Sequence, residues 1–418
     1  RGDVSALRIR VFTLAGMAVQ LRRNTHISMK YKINTNDKAT SDMFLRCLWS
    51  QLREEFDNFG WNYWGTIENN VVDLGLLCLG LETPVHISYN YKKKGTIDYI
   101  FIGLDSLKNS SEIEKIISQC ISKARMGIKL IKTGSFSMPV FSYYEIDSFS
   151  GSFFKIVKSE SGSHLAISVA YFDSVDLKQE FAIRSSDLIK FLSLAFRVPI
   201  YHGKSKQDEI KHRTLCSSDE LNIIDGFMGK CEPNSHVYNK VLEAVTLYNN
   251  ALKIMYINKS TKVAEIVECG PGDFELYIPE NHNKILELHQ QVSIDTEIAI
   301  VSLISSVEVV ATLDKNESKT CASCGQQAYK IAKRVMDFSK KFGDEVISKN
   351  IKKAYAIRSQ IVHVGILLER NEIYQGVTNP RIDFSQAGSL LKHTNSLPEI
   401  LLDDIRTVLF NFIKSQIG

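Results

Sequence analysis

Residues 294–313 read as a helix that is apolar on nearly all sides, interrupted by polar residues that include Glu297, Ser302, Ser305, Ser306 and Glu308. A helix of that kind cannot face water over much of its surface and must be enclosed by other elements. The flanking sequence supplies them. Asn234-Ser235 can start a long helix whose apolar stripe is Val237, Val241, Leu242, Val245, Leu252 and Met255. Helical patterns follow at 284–290, 326–342, 345–364 and 397–417, the last with Pro398 in its first turn, where a missing N–H costs little. The final ~180 residues therefore predict an all-α bundle.

The earlier sequence has a different period. Residues 7–14 and 27–33 alternate apolar and polar side chains, which predicts half-buried strands, and 71–79, 85–91 and 96–103 also read as strands. Tyr91-Lys-Lys-Lys-Gly95 makes a polar turn between the last two. Thr40-Ser41-Asp42 can cap a helix carrying Phe44, Leu45, Leu48, Leu52 and Phe56, and Ser110-Ser111-Glu112 can open a second. Strand character returns at 134–144. Residues 153–157 and 164–172 then flank a Ser/Gly loop and predict a hairpin. The aromatic run Phe59-Gly60-Trp61-Asn62-Tyr63-Trp64-Gly65 predicts a core corner in preference to a binding ledge.

The expected fold class is α+β, with a mixed, mostly antiparallel β-rich region before the helices. The expected organisation is a mixed recognition domain over 1–180, a helix (capped at Ser185-Ser186-Asp187) and linker over 181–233, and a helical domain over 234–418. No GxxxxGK[ST], no dinucleotide-binding glycine signature and no HExxH occurs.

Apolar content of 44% and charged content of 23% describe a soluble globular protein, and no apolar run approaches the roughly 18 residues of a membrane span. The beginning, Arg1-Gly-Asp-Val, lacks the layout of a signal peptide. Six of the eight cysteines are scattered, and Cys47 and Cys120 fall on apolar helix faces, so a cytoplasmic setting with reduced thiols is expected. Cys321-Ala-Ser-Cys324 stands apart. It offers half of a structural zinc site, a metal-free thiol pair or a redox switch, and remote ligands would have to come from Cys216, Cys231, Cys269, a histidine or a second subunit. The net charge is +4, yet residues 315–358 alone carry eleven Lys/Arg against four Asp/Glu. The rest of the chain is thus slightly acidic, and a polyanionic partner is expected at this segment.

That segment ends in Tyr355-Ala-Ile-Arg358-Ser-Gln-Ile-Val-His363. A guanidinium offers a planar, permanently charged fork to phosphate oxygens, and an imidazole moves protons near neutral pH. Five helical steps rotate by about 500°, which leaves Arg358 and His363 about 140° apart on a regular helix. Either the helix ends between them, near Gly365, or a second copy of it completes the site in a two-fold dimer.

The pattern Tyr355-x-x-Arg358-Ser359-x-x-x-His363-x-Gly365, late in a helical region, resembles the RxxxxH signature of the HEPN superfamily, and within it the ApeA-like branch of bacterial anti-phage proteins. Glu308 in its apolar helix resembles that family's acidic core position. The resemblance covers about the last 180 residues, with a looser likeness of the amino-terminal half to the sensor region of ApeA-like proteins. It implies a HEPN-type bundle and a homodimeric, metal-independent endoribonuclease of an abortive-infection or toxin system. RNA, plausibly tRNA, is the implied substrate, and the implied trigger is phage-derived or a stress signal acting on the amino-terminal domain. Arg358 would clamp the phosphate and His363 would act as general acid and base. Ser359 stands where relatives often carry Asn, Asp or His. Glu308 would orient Arg358 or His363, and Tyr355 would bond a phosphate or pack. Lys352 and Lys353 would contact substrate. No cofactor is implied for catalysis, and structural zinc at Cys321 and Cys324 is the one metal for which the sequence offers ligands. A non-catalytic bundle that dimerises or binds RNA or a nucleotide is the alternative.

Overall fold

The computed structural model describes residues 28–63, 65–81, 83–103, 110–127, 131–142, 144–159, 162–203, 212–213, 216–231, 235–260, 265–270, 273–277, 282–314, 331–364, 382–383, 389–390 and 397–417. The protein is α+β, with antiparallel sheets early and helices late. The chain divides into two compact units, Arg1–Thr133 with Ala170–Gln179, and Gly134–Val169 with Glu180–Gly418.

The first unit contains β1 (Ser28–Lys32), α1 (Lys38–Glu55), β2 (Phe59–Asn62), β3 (Thr66–Glu68), β4 (Val71–Leu79), β5 (Val85–Asn90), β6 (Tyr99–Gly103) and α2 (Ser110–Gly127). Its antiparallel sheet runs β1-β6-β5-β4-β2, with β3 sharing the outer edge of β4. Strand alternation puts Ile87, Ile100 and Ile102 on one face, where they pack with Phe44, Leu48 and Leu52 of α1 and Ile117 and Ile121 of α2. Asp37, not residues 40–42, caps α1. Its carboxylate accepts the Thr40 N–H at 2.7 Å, which places the helix start three residues upstream of the expected cap. A bulge in β4 between Asp73 and Gly75 needs glycine: φ is +95°, and a Cβ would lie 2.1 Å from the Asn62 carbonyl oxygen.

The aromatic run forms a core corner only in part: Phe59 packs against the core, whereas Trp61 and Tyr63 are exposed, and Trp64 lies outside the described residues. Trp61 is 45% and Tyr63 58% exposed, and they form a row with the buried Trp49 at centroid spacings of 5.1 and 5.3 Å. The Trp61 indole N–H donates to the Leu74 carbonyl at 2.7 Å. Pairing of β2 along the outer edge of β4 puts these rings at the rim of the sheet, where no further strand covers them among the described residues.

The second unit holds most of a sheet made from β7 (Lys132–Phe141), β9 (Phe149–Ser150), β10 (Phe154–Ser159), β11 (Gly162–Tyr171) and β12 (Tyr201–His202), in the order β12-β7-β11-β10-β9, beside a small parallel pair of β8 (Tyr144–Glu145) and β13 (His212–Arg213). The helices are α3 (Ser174–Phe196), α4 (Ser218–Lys230), α5 (His236–Ser260), α6 (His282–Ala311), α7 (Ile331–Phe342), α8 (Glu345–Val364) and α9 (Leu397–Ile417). Helix α3 starts eleven residues before the expected cap. Asp173 supplies that cap by accepting the N–H groups of Val175 and Asp176, and Ser185 lies mid-helix with its hydroxyl bonded to the Ala182 carbonyl. Helix α4 occupies sequence expected to be linker. A reciprocal capping box between Ser217 and Glu220 starts it. Two hairpins interrupt the helices: β14 (Glu265–Gly270) with β15 (Asp273–Tyr277), and β16 (Ile382–Asp383) with β17 (Ser389–Leu390). The alternation of Asp273-Phe-Glu-Leu-Tyr277 after a Gly-Pro-Gly sequence accounts for the first.

Helix α6 is the centre of the helical region. Ala299, Ile300, Leu303, Ile304, Val307 and Val310 are buried, and α5, α7, α8 and α9 all pack on it. This is the enclosure its apolar sequence demands.

Two buried charges tie the unit together. Asp225 of α4 accepts the N–H groups of Ser152, Phe153 and Phe154 and the Ser152 hydroxyl, at 2.7–3.0 Å, and so fixes the turn into β10. Arg406 of α9, 4% exposed, donates to the Leu194 and Ala195 carbonyls at 3.0 Å and to Glu220. Those carbonyls end α3 and have no intrahelical partner. Replacing Arg406 by Met strands both carbonyls and leaves the Glu220 carboxylate with the Ser217 N–H of its capping box but without its guanidinium. The expected loss in chemical denaturation is about 3 kcal/mol, and a loss below about 1 kcal/mol would contradict this role.

Candidate active site

Helices α6 and α8 pack side by side and bring Glu308 and Arg358 together. The Arg358 Nη2 donates to Glu308 Oε2 at 3.1 Å, with the two side chains 20% and 17% exposed. Tyr355 sits one turn before Arg358, its ring centroid 5.9 Å from the guanidinium carbon, a cation–π distance. Burial, and then the nearby Glu308 carboxylate, push the Tyr355 phenol above its ordinary range. Arg358 Nε is buried and has no hydrogen-bond partner among the described residues. The guanidinium is thus held by a carboxylate and a ring while one of its inner donors lacks an acceptor.

The rest of α8 separates into faces. Ile351 and Ala354 are buried, whereas Lys349, Lys352, Lys353 and Ala356 are exposed, and Ser359 is half-buried. Asn350 donates to Asp404 of α9 at 2.9 Å, which fixes the rotation of α8 from its other side. Burial pushes the Asp404 carboxyl upward. Nothing in the sequence marks this pair. It is two short polar side chains on helices 54 positions apart.

Helix α8 continues to Val364, so it does not end between Arg358 and His363. The backbone of His363 belongs to α8, and its side chain lies outside those described. Helical rotation puts backbone position 363 about 140° from position 358. Within one protomer the helix does not bring the two positions to one point. Cys321, Cys324 and Gly365 lie outside the described residues. Among the described residues no group of three or more His, Cys, Asp or Glu side chains could hold a metal ion. Burial pushes the Cys47 and Cys120 thiols up to about 11 and Cys216 up to about 12. These three are neutral thiols at physiological pH.

The first unit has a groove of about 980 Å³ lined by Phe56, Phe59, Phe172 and Met126, together with Arg53 and Lys123. Two of its cations are already engaged, Arg53 with Asp173 at 2.8 Å and Lys123 with Glu55 at 2.5 Å, and Lys132 also lines it. No helix among the described residues is long and apolar enough to cross a membrane.

Comparison with known proteins finds no matching family model, no matching curated protein and no matching solved structure.

A double-mutant cycle of Glu308→Gln and Arg358→Gln measures the contact between α6 and α8. The partly buried pair is expected to show a coupling of about 1 kcal/mol in denaturation, and additive losses would show that the two side chains do not act on each other.

Proposed function

We propose that the protein is a metal-independent endoribonuclease of the HEPN type, acting as a homodimer in a bacterial anti-phage, abortive-infection or toxin system. The observation that carries this reading is the Arg358 guanidinium. It is oriented by Glu308 and Tyr355, has an Nε unpartnered among the described residues, and lies on the helix that also exposes Lys349, Lys352 and Lys353.

In the proposed reaction the ribose 2′-oxygen attacks the adjacent phosphorus, losing its proton to a base. The bond from phosphorus to the 5′-oxygen breaks, and that oxygen takes a proton from an acid. The products are a 2′,3′-cyclic phosphate and a 5′-hydroxyl. The His363 imidazole handles the protons, and Arg358 stabilises the charge that develops on the phosphoryl oxygens. Lys352 and Lys353 hold flanking phosphates, and Ser359 donates a hydrogen bond beside Arg358. Because positions 358 and 363 diverge on an unbroken helix, Arg358 of one protomer works with His363 of the other across a two-fold axis. The amino-terminal part of the chain senses the trigger and controls access. A structural zinc at Cys321 and Cys324 has no part in the chemistry.

A specific observation favours a second reading. Arg358 is already paired with Glu308 and mostly buried, which suits a bundle that dimerises or binds RNA or a nucleotide without cutting it. RNA cleavage in EDTA separates the two. The nuclease reading expects cyclic phosphate ends from triggered protein, with rates at least 100-fold lower for Arg358→Ala and His363→Ala. Activity lost on chelation, or unchanged in both variants, would overturn it.

A further inference from the structure

Among the described residues, the sheet of the first unit has helices on one face only. Alternation along β6 sends Ile100 and Ile102 into the core beneath α1 and α2, and sends Tyr99 and Phe101 to the opposite face, where both are half-buried. The pairing register fixes their neighbours. Lys32 of β1 lies opposite Tyr99 and Lys30 opposite Phe101, with both lysines exposed. The Lys30 ammonium sits 3.9 Å from the Tyr99 ring centroid and 5.9 Å from that of Phe101. On the other side, Asn90 of β5 pairs with Tyr99 and the small Ser88 with Phe101, so no bulky side chain from β5 rises over either ring. The turn between β5 and β6 carries three exposed lysines at residues 92–94, of which Lys92 pairs with Asp98 at 3.1 Å.

We propose that this face is a binding platform for single-stranded nucleic acid. Two rings at positions i and i+2 of one strand stand roughly 6.7 Å apart. That is about twice the 3.4 Å repeat of stacked bases, so the rings accept two splayed bases and not a continuous stack. Lys32 borders them along β1, Lys30 lies over the Tyr99 ring and swings to a phosphate when a base stacks there, and the turn at 92–94 adds positive charge beyond its Lys92–Asp98 pair, which suits a phosphate backbone running past the rings. Of the acidic side chains nearby, Asp98 pairs with Lys92, Asp73 lies two strands from Phe101 across Ser88, and Glu68 lies on β3 beyond β4. A duplex hides the base faces that the rings would cover, so single strands are the class recognised. The platform stands independently of the reading at Arg358.

The test is fluorescence anisotropy of the full-length protein with labelled single-stranded dT12, rU12 and a 12-base-pair duplex. The dT12 probe has no 2′-hydroxyl and stays intact whatever the helical region does. At least one single strand is expected to bind ten-fold or more tightly than the duplex. Tyr99→Ala and Phe101→Ala are each expected to weaken that binding about ten-fold, and Tyr99→Phe and Phe101→Tyr to retain it. Lys30→Ala and Lys32→Ala should each reduce the steepness of the salt dependence by about 0.7. Variants are compared at matched helicity and melting temperature. No single-strand binding at low salt, equal binding of the duplex, or single-strand binding indifferent to loss of both rings would overturn the proposal. None of these outcomes bears on cleavage by Arg358 and His363, which is read separately.

Discussion

The second unit depends on one buried guanidinium. Arg406 carries a permanent charge into a site that is almost wholly closed to water, which is strongly unfavourable unless every donor finds an acceptor. The acceptors are the carbonyls that α3 leaves unpaired at its end and the carboxylate that closes the capping box of α4. One side chain thereby fixes the end of one helix, the start of another and the depth of α9. Helix α9 packs on α6 and α8, so the same contact sets the frame in which Glu308 and Arg358 meet. Asp225 performs the complementary task for the sheet, collecting three backbone N–H groups in one turn.

Within that frame the candidate site has a pre-set half. Arg358 cannot swing freely, because Glu308, the Tyr355 ring and the packing of α8 hold it. On the proposed reading, a guanidinium fixed in advance needs little reorganisation when a charged phosphate arrives, which is the usual origin of electrostatic catalysis. Backbone position 363 lies about 140° around the same helix from position 358. On the proposed reading this divergence is the reason for two-fold assembly, since neither protomer holds both halves at one point.

Much of the helical region was legible from periodicity. Residues 345–364 and 397–417 give α8 and α9 at the expected bounds, and the apolar sequence at 294–313 is the last part of the enclosed α6. What escaped was governed by contacts between distant segments. The sequence around α4 is short and polar at its start, and it reads as linker until Ser217, Glu220 and Arg406 are seen together. Residues 59–63 are aromatic enough to suggest a core, but pairing along the outer edge of β4 leaves Trp61 and Tyr63 at the rim. Tyr99 and Phe101 look like ordinary strand residues. Only the choice of which sheet face the helices cover sets them apart. Of the candidate site, the Arg358 and His363 spacing and the acidic Glu308 could be read in advance, while the pinning of α8 by Asn350 and Asp404 could not.

The most direct test of the central claim is complementation between two inactive variants. Arg358→Ala and His363→Ala proteins are purified separately, mixed under conditions that exchange subunits, and assayed for RNA cleavage in EDTA. If Arg358 of one protomer works with His363 of the other, half the dimers become mixed and each holds one intact site, so about a quarter of wild-type activity returns. If the two residues act within a single protomer, every site in the mixture remains defective and no activity returns, which would contradict the account.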